Sequence, residues 1–138
     1  MLYQWHNGID INAETQFLFG EYDFTPLHEA VADYQVIQQY YDDQGAEIDM
    51  RFCFPFARFD GAYLNIYCDT WPFFGLQNPI IHIFEDISIM FESLEKAILT
   101  VNEWYSKGVY DTSPVDEMLM HNIRTRINAN IPPRTTTL

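Results

Sequence analysis

The sequence predicts an α+β domain: a mostly antiparallel sheet of about four strands with helices packed beside it. Short stretches in which apolar and polar residues alternate cluster between residues 50 and 86, as in strands. Longer stretches with apolar residues at helical spacing lie before and after this cluster. A length of 138 residues suits one domain with one core. Strands grouped between helices favour this class over alternating β-α units.

The first third of the chain predicts a helix end, a strand and a helix. Residues 2–10 (LYQWHNGID) have the pattern of a last helical turn, although the preceding helical residues are missing. Residues 16–24 are short, aromatic and β-prone. Thr25 and Pro26 then predict a helix start, with Thr25 as the N-cap. The expected apolar face of this helix comprises Leu27, Val31, Tyr34, Ile37 and Tyr41.

Residues 50–54 and 62–69 predict two antiparallel strands around a corner at Asp60-Gly61. With a two-residue turn there, Cys53 would face Cys68. Pro55 would then occupy a hydrogen-bonded position, although proline has no N–H to donate. A longer corner loop or a β-bulge is therefore expected. Both cysteines are interpreted as buried thiols and not as a disulfide.

The second half predicts one more strand and two helices. Residues 80–86 are apolar on both faces, as in a central strand, and a connector follows them. Ser93 is the expected N-cap of a helix that ends at Lys107-Gly108. A last helix is expected from Ser113-Pro114. Its predicted buried face comprises Val115, Met118, Leu119, Ile123 and Ile127. The single domain then covers residues 1–131, and residues 132–138 form a frayed tail.

The charge of the chain is strongly acidic and unevenly distributed. The formal net charge is −13, and Arg51 is the first basic residue, after ten acidic ones. Such a field repels nucleic acid and anionic membranes and attracts basic proteins. Charge alone favours the simpler interpretation that acidic residues keep the protein soluble. Residues 1–14 have no leader pattern and no run is long enough to cross a bilayer, so a cytosolic protein is expected.

No residue pattern predicts catalysis, a metal or a cofactor. The four histidines show no zinc-binding spacing. Cys53 and Cys68 lie in apolar strands, where burial raises a thiol's pKa and makes it unreactive. Glu85 and Asp86 are neighbours on a strand and point in opposite directions. Aromatic residues in the loop at 70–78 suit either interface anchors or a cap on the core.

The central stretch FPFARFDGAYLNIYCD, residues 54–69, resembles the signature of the SMI1/KNR4 (SUKH) superfamily. In that family an apolar-Pro-apolar step leads through an acidic, Gly-bearing corner to a strand of the "-YL-ID-" kind. Residues 2–10 are similar to its "NG" element, residues 78–99 to its next strand, connector and helix, and residues 103–111 to its "G-Y" element. The order and spacing of these motifs carry the resemblance. The helical sequence that relatives have before "NG" is missing, so the N-terminal helical part looks truncated.

The resemblance implies a SUKH-like fold and a binding function without catalysis. Many bacterial members are immunity proteins, which bind and neutralise toxin domains of polymorphic or contact-dependent systems, often nucleases or deaminases. Fungal relatives are linked to cell-wall synthesis and signalling. The resemblance also implies structural roles for five motif residues. They are Trp5, Gly8, Pro55, Gly61 and Gly108.

The combined hypothesis is an acidic immunity protein that binds a basic cognate toxin. The expected partner surface lies around the strand ends, with five carboxylates and two apolar anchors. It comprises Asp42, Asp43, Glu47, Asp60, Asp69, Phe73 and Phe74. The alternative is a scaffold or regulator like the fungal relatives. A small enzyme with a Cys/His pair is a third possibility. The partner's identity and the oligomeric state stay open.

Overall fold

A five-stranded antiparallel sheet organises the computed structural model, which describes residues 22–44, 48–72 and 75–131. The strand order is β1-β2-β3-β4-β5. The strands are β1 (Asp23–Phe24), β2 (Cys53–Phe59), β3 (Ala62–Tyr67), β4 (Ile80–Phe84) and β5 (Asp86–Phe91). The helices are α1 (Leu27–Gln44), α2 (Leu94–Ser106) and α3 (Glu117–Ile127), with a short 3-10 helix at Met50–Phe52. The predicted α+β class is confirmed, with five strands instead of about four. Trp5 and Gly8 lie outside the described residues.

Both faces of the sheet are covered, and each face carries its own core. Core 1 lies under α2 and α3 and contains thirteen buried side chains, among them Phe56, Leu64, Trp104 and Ile123. Core 2 lies under α1 and contains Ile37 of that helix packed with Trp71 and isoleucines of β4 and β5. The central strands are therefore apolar on both sides, which explains the continuous apolar run of β4.

The β2-β3 hairpin has a tight turn and a bulge. Asp60 and Gly61 have φ angles of 46° and 83°, and Phe59 pairs with Ala62. Positive φ at both central residues is the geometry that matches the twist of a two-residue hairpin. The register shifts between Pro55 and Ala57, so Cys53 pairs with Tyr67. The expected β-bulge is thus confirmed, and the alternative of a longer corner loop is wrong, because one extra residue in β2 resolves the conflict at Pro55.

Strand β5 replaces the predicted connector after residue 86. It pairs antiparallel with β4, and Ile83 faces Ile87. Glu85 makes the reversal with a φ of 58°. The sequence gives little warning of this turn, because a non-glycine residue takes the left-handed conformation. The apolar residues of β5 therefore belong to the sheet and not to a connector.

The predicted strand start at Met50 and the expected face of α1 also need correction. Asp49 caps a 3-10 turn at Met50–Phe52, and β2 begins only at Cys53. Helix α1 begins at Leu27 and buries Ala30 and Ile37, while Leu27 is 41% exposed. Helix α1 turns this face to the sheet because two of its carboxylates, described below, reach an arginine of β2.

Helices α2 and α3 differ in how well the sequence predicted them. The Ser93 side chain accepts a hydrogen bond from Lys96 N, and Gly108 has a φ of 73° after the last turn, as expected. Helix α3 starts later than predicted, because Asp116 and not Ser113 is its N-cap. Met118 is 76% exposed and does not belong to the buried face, whereas Ile123 is buried.

Two fully buried asparagines have opposite hydrogen-bond environments. Asn128 accepts a bond from Glu92 N (3.0 Å) and donates to Thr100 Oγ1 (3.1 Å) and Arg124 O (2.9 Å). It thereby joins α2, α3 and the end of β5. Asn65 of β3 has 0% exposure, and neither atom of its amide has a hydrogen-bond partner. A buried polar group without a partner costs free energy of folding.

We predict that Asn65→Leu raises the free energy of unfolding by about 1 kcal/mol, because it removes an unsatisfied buried amide at similar volume. The matched substitution Asn128→Leu should lower that free energy by about 2–3 kcal/mol, because three hydrogen bonds are lost and their partners stay buried. Urea unfolding of both variants measures the difference. Destabilisation by Asn65→Leu as large as that by Asn128→Leu would contradict this account.

Candidate protein-binding surface

The residues predicted for partner binding are divided between the two ends of the sheet. In an antiparallel meander the β2-β3 and β4-β5 turns lie at one end, which we call the turn end (residues 59–61 and 84–86). The opposite end, the loop end, comprises residues 48–53 and 67–72. Asp60 lies at the turn end and Asp69 at the loop end. The six residues of β3 separate them by about 20 Å, so they do not form one contact point.

The C-terminal half of α1 lies beside the loop end. Gln38 donates a hydrogen bond to the carbonyl oxygen of Met50, and the Tyr34 hydroxyl donates to Arg51 O (3.1 Å). Cys68 N donates to Phe52 O (2.7 Å), which ties the 3-10 turn to the end of β3. The backbone therefore places the last turn of α1, with Asp42 and Asp43, on the same side of the molecule as Asp69. Glu47, Phe73 and Phe74 lie outside the described residues.

Arg51 is the one cationic side chain among the described residues of the loop end, and it pairs with Asp49. Arg51 binds Asp49 through its guanidinium at 2.6 Å and through its backbone N–H at 3.1 Å. The side-chain hydrogen bond lowers the pKa of Asp49 below its usual value. Asp69 accepts a hydrogen bond from Thr70 N (2.7 Å), and within the described ranges no ion pair includes it. Among these residues the Asp69 carboxylate therefore has no counterion.

The loop after β3 folds back onto the core. Trp71 has 0% exposure, and its ring lies 5.0 Å from that of Tyr67 in a perpendicular arrangement. Trp71 N donates to Leu76 O (2.7 Å) across the loop. The aromatic loop was compatible with interface anchors or with a cap on the core, and Trp71 is a cap on core 2. Phe52 is a further exposed aromatic residue at this end. It lies in the 3-10 turn that Asp49 caps and not in the predicted strand.

Arg58 of β2 is held inside a second ion-pair group. Its guanidinium pairs with Glu29 and lies 3.4 Å from Asp33, both on α1. Burial raises the pKa of Asp33 above its usual value, although Arg58 pulls in the opposite direction. The only two basic residues before Lys96 are thus both paired with carboxylates of their own chain, and neither offsets the other surface acids.

Among the described residues, buried Cys53 and His82 of β4 lie on opposite faces of the sheet and do not form a Cys/His pair. Cys53 is fully buried in core 2, and this burial raises its pKa to about 12. The ring of His82 packs against Tyr22, which belongs to core 1 on the other face of the sheet. Cys68 is exposed, which corrects the expectation of a buried thiol, because it follows the last residue of β3. In the described ranges no group of three or more metal-ligating side chains occurs.

No protein-family model, curated protein or solved structure matches this chain. The resemblance to the SUKH superfamily therefore stays a hypothesis, based on the order and spacing of its motifs. Among the described residues, no helix has the length and apolar character needed to cross a membrane.

We predict that Arg58→Met lowers the free energy of unfolding at neutral pH by about 1–2 kcal/mol, because it leaves two partly buried carboxylates without a cation. The matched variant Arg51→Met, in an exposed pair, should cost less than about 0.5 kcal/mol. The pKa of Asp33 is already raised in the folded state, so its ionisation opposes folding as pH rises. Loss of Arg58 increases that opposition. The deficit should therefore shrink as pH falls through the carboxyl range. A deficit that does not change with pH would contradict this role.

We predict that iodoacetamide modifies Cys68 and spares Cys53 in the folded protein. With a pKa of about 12, roughly one Cys53 thiol in ten thousand is ionised at pH 8, and it is also inaccessible. Mass spectrometry of the Cys53→Ser and Cys68→Ser variants reads each thiol separately. The Cys68→Ser variant should react only after guanidinium chloride unfolds it. Rapid labelling of Cys53 in the native state would contradict the prediction and revive the thiol-enzyme hypothesis.

Proposed function

We propose that this protein is a cytoplasmic immunity protein that binds a basic cognate toxin domain, of nuclease or deaminase type, and neutralises it without catalysis. The single observation that carries the proposal is the placement of acidic charge. Asp69 and the last turn of α1 lie at one end of the sheet, and the nearest arginine is occupied by Asp49. The SUKH-like order of motifs supplies the toxin-neutralising part of the proposal.

An acidic surface of this kind has a physical advantage against a nucleic-acid-directed toxin. Proteins that act on nucleic acid carry lysines and arginines that neutralise phosphates. A complementary acidic surface steers such a protein during diffusion and raises the association rate, especially at low salt. The cationic surface with which the toxin binds its substrate is also the surface that the loop end would bind. Inhibition would then follow from occupation of that surface.

The first experiment is capture of partners from the native host with the tagged full chain, followed by mass spectrometry. The proposal predicts a basic protein with a toxin domain that elutes at moderate salt. Co-expression of this chain should then restore growth to cells that produce the toxin. Capture of cell-wall or signalling enzymes without any toxin would overturn the proposal in favour of the scaffold or regulator.

We predict that the double variant Asp42→Asn/Asp69→Asn binds the captured toxin about tenfold more weakly at low salt, chiefly through a slower association rate. The salt dependence of binding should also become less steep, because two charges are removed. Biolayer interferometry over a salt series measures both quantities.

The matched control is Glu95→Gln/Glu117→Gln, which removes two exposed charges from α2 and α3 on the other face of the sheet. This control should change the affinity by less than about twofold, because distant exposed charges are screened. Equal weakening by both double variants would mean that net charge matters and the loop end does not.

A further inference from the structure

The turn end combines exposed aromatic rings with acidic residues. Phe59 of β2 pairs with Ala62 of β3. Tyr63 pairs with Ile83, so the next residue of β4, Phe84, lies beside Ala62 on its other side. Directly opposite residues of antiparallel strands share a face. The two phenylalanines therefore lie on the face of core 1, with the small side chain of Ala62 between them. Two strand spacings separate their backbones, about 10 Å.

Both rings are half exposed, and each contacts a neighbouring part of the chain. Phe59 is 41% exposed and Phe84 is 46% exposed. The ring of buried Tyr22 packs edge-on against Phe59, with centroids 6.2 Å apart. The ring of Phe84 lies over the turn, since a Cβ built on Gly61 would be 3.9 Å from its Cε2 atom. A pair of supported, half-exposed rings is typical of an interaction surface rather than of an isolated surface residue.

Three carboxylates surround these rings. Asp60 and Glu85 occupy the two turns in left-handed conformations, with φ angles of 46° and 58°, and Asp86 follows Glu85. In the described part of the chain, none of the ion pairs includes any of these three carboxylates. The one arginine nearby, Arg58, is on the opposite face with Glu29 and Asp33.

We propose that the turn end docks an arginine side chain of the basic protein partner, with the guanidinium over the Phe59 and Phe84 rings and hydrogen-bonded to the surrounding carboxylates. This inference rests on the proposed function, because it assumes a basic partner. It adds a second contact region, at the other end of the sheet from the acidic loop end. Neither Phe59 nor Phe84 belongs to the surface that the sequence predicts.

The chemistry of the turn end selects arginine over lysine and over a second copy of this chain. A guanidinium is planar and weakly hydrated, stacks on aromatic rings and donates in a fork to carboxylates, whereas an ammonium is a strongly hydrated point charge. A two-fold dimer through this surface would place the same carboxylates opposite each other. With a net charge of −13 on each copy, that contact is repulsive.

The test is an NMR titration of the ¹⁵N-labelled full chain with two probes, the peptide acetyl-Gly-Arg-Gly-Arg-Gly-amide and its lysine counterpart. We predict that the arginine peptide shifts the amide signals of residues 60–62 and 85–87 most, and binds at least threefold more tightly than the lysine peptide. Phe84→Ser should weaken binding of the arginine peptide threefold or more. Phe52→Ser, a matched change of a similarly exposed ring at the loop end, should leave it unchanged.

The outcomes distinguish failure of this inference alone from failure of the inference together with the proposed function. The arginine peptide could instead shift the signals of residues 67–70, or Phe52→Ser could weaken binding as much as Phe84→Ser. Either result would show that the turn end is not the docking region. The proposed binding of a basic partner to an acidic surface would still stand. If neither peptide shifts either end, both the inference and the proposed function lose their electrostatic basis. Concentration-dependent dimers in sedimentation that Phe84→Ser abolishes would identify a second copy as the occupant and overturn the proposal.

A second variant keeps the test decisive if Phe84→Ser does not give a dispersed spectrum. Asp60→Asn/Glu85→Gln removes two charges from the turns without changing side-chain volume. It should reduce the preference for the arginine peptide and weaken its binding threefold or more. Unchanged binding by this variant would overturn the carboxylate part of the proposal.

Discussion

The register of β2 against β3 determines the composition of both cores. The two-residue turn at Asp60-Gly61 aligns the strands from the turn end, and the extra residue at the bulge realigns them beyond Pro55. Because successive residues of a strand point to opposite faces, a slip of one position would exchange the two faces of the strand. The bulge places Cys53 and Tyr67 in core 2 and Phe56 with Ala57 in core 1. Helix α1 covers core 2 on one face of the sheet, and helices α2 and α3 cover core 1 on the other face.

The meander that follows from this hairpin also decides how the acidic charge is distributed. Consecutive antiparallel strands bring alternate turns to the same end of the sheet. Asp60 and Glu85 therefore both lie at the turn end, although 24 residues stand between them in the sequence. Asp69 and the last turn of α1 lie at the opposite end. The chain consequently presents two acidic regions with different chemistry: the turn end combines carboxylates with exposed phenylalanine rings, and the loop end buries Trp71.

Sequence patterns predicted the α+β class, the hairpin with its bulge, and helix α2 with its Ser93 cap, because each depends on local propensity or on a residue with restricted backbone geometry. They missed β5, since Glu85 reverses the chain without glycine or proline. They also misplaced the buried face of α1, since the Arg58 contact with Glu29 and Asp33 joins residues far apart in the chain. The separation of Asp60 from Asp69 was not predicted for the same reason. Asp60 lies near Phe84 and far from Asp69 because of the strand topology, which the local sequence does not show.

The two arginines before Lys96 are both used inside the fold and leave much of the acidic charge unpaired. Arg58 stabilises the packing of α1 on the sheet, and Arg51 fixes the 3-10 turn through Asp49. Both are consumed by contacts that the fold needs. Among the described residues, the carboxylates of Asp60, Asp69, Glu85 and Asp86 at the two ends of the sheet take part in no ion pair. Unpaired surface carboxylates repel one another and slightly oppose folding. A basic partner would relieve that repulsion at both ends at once, which couples the stability of the fold to occupation of its proposed binding surfaces.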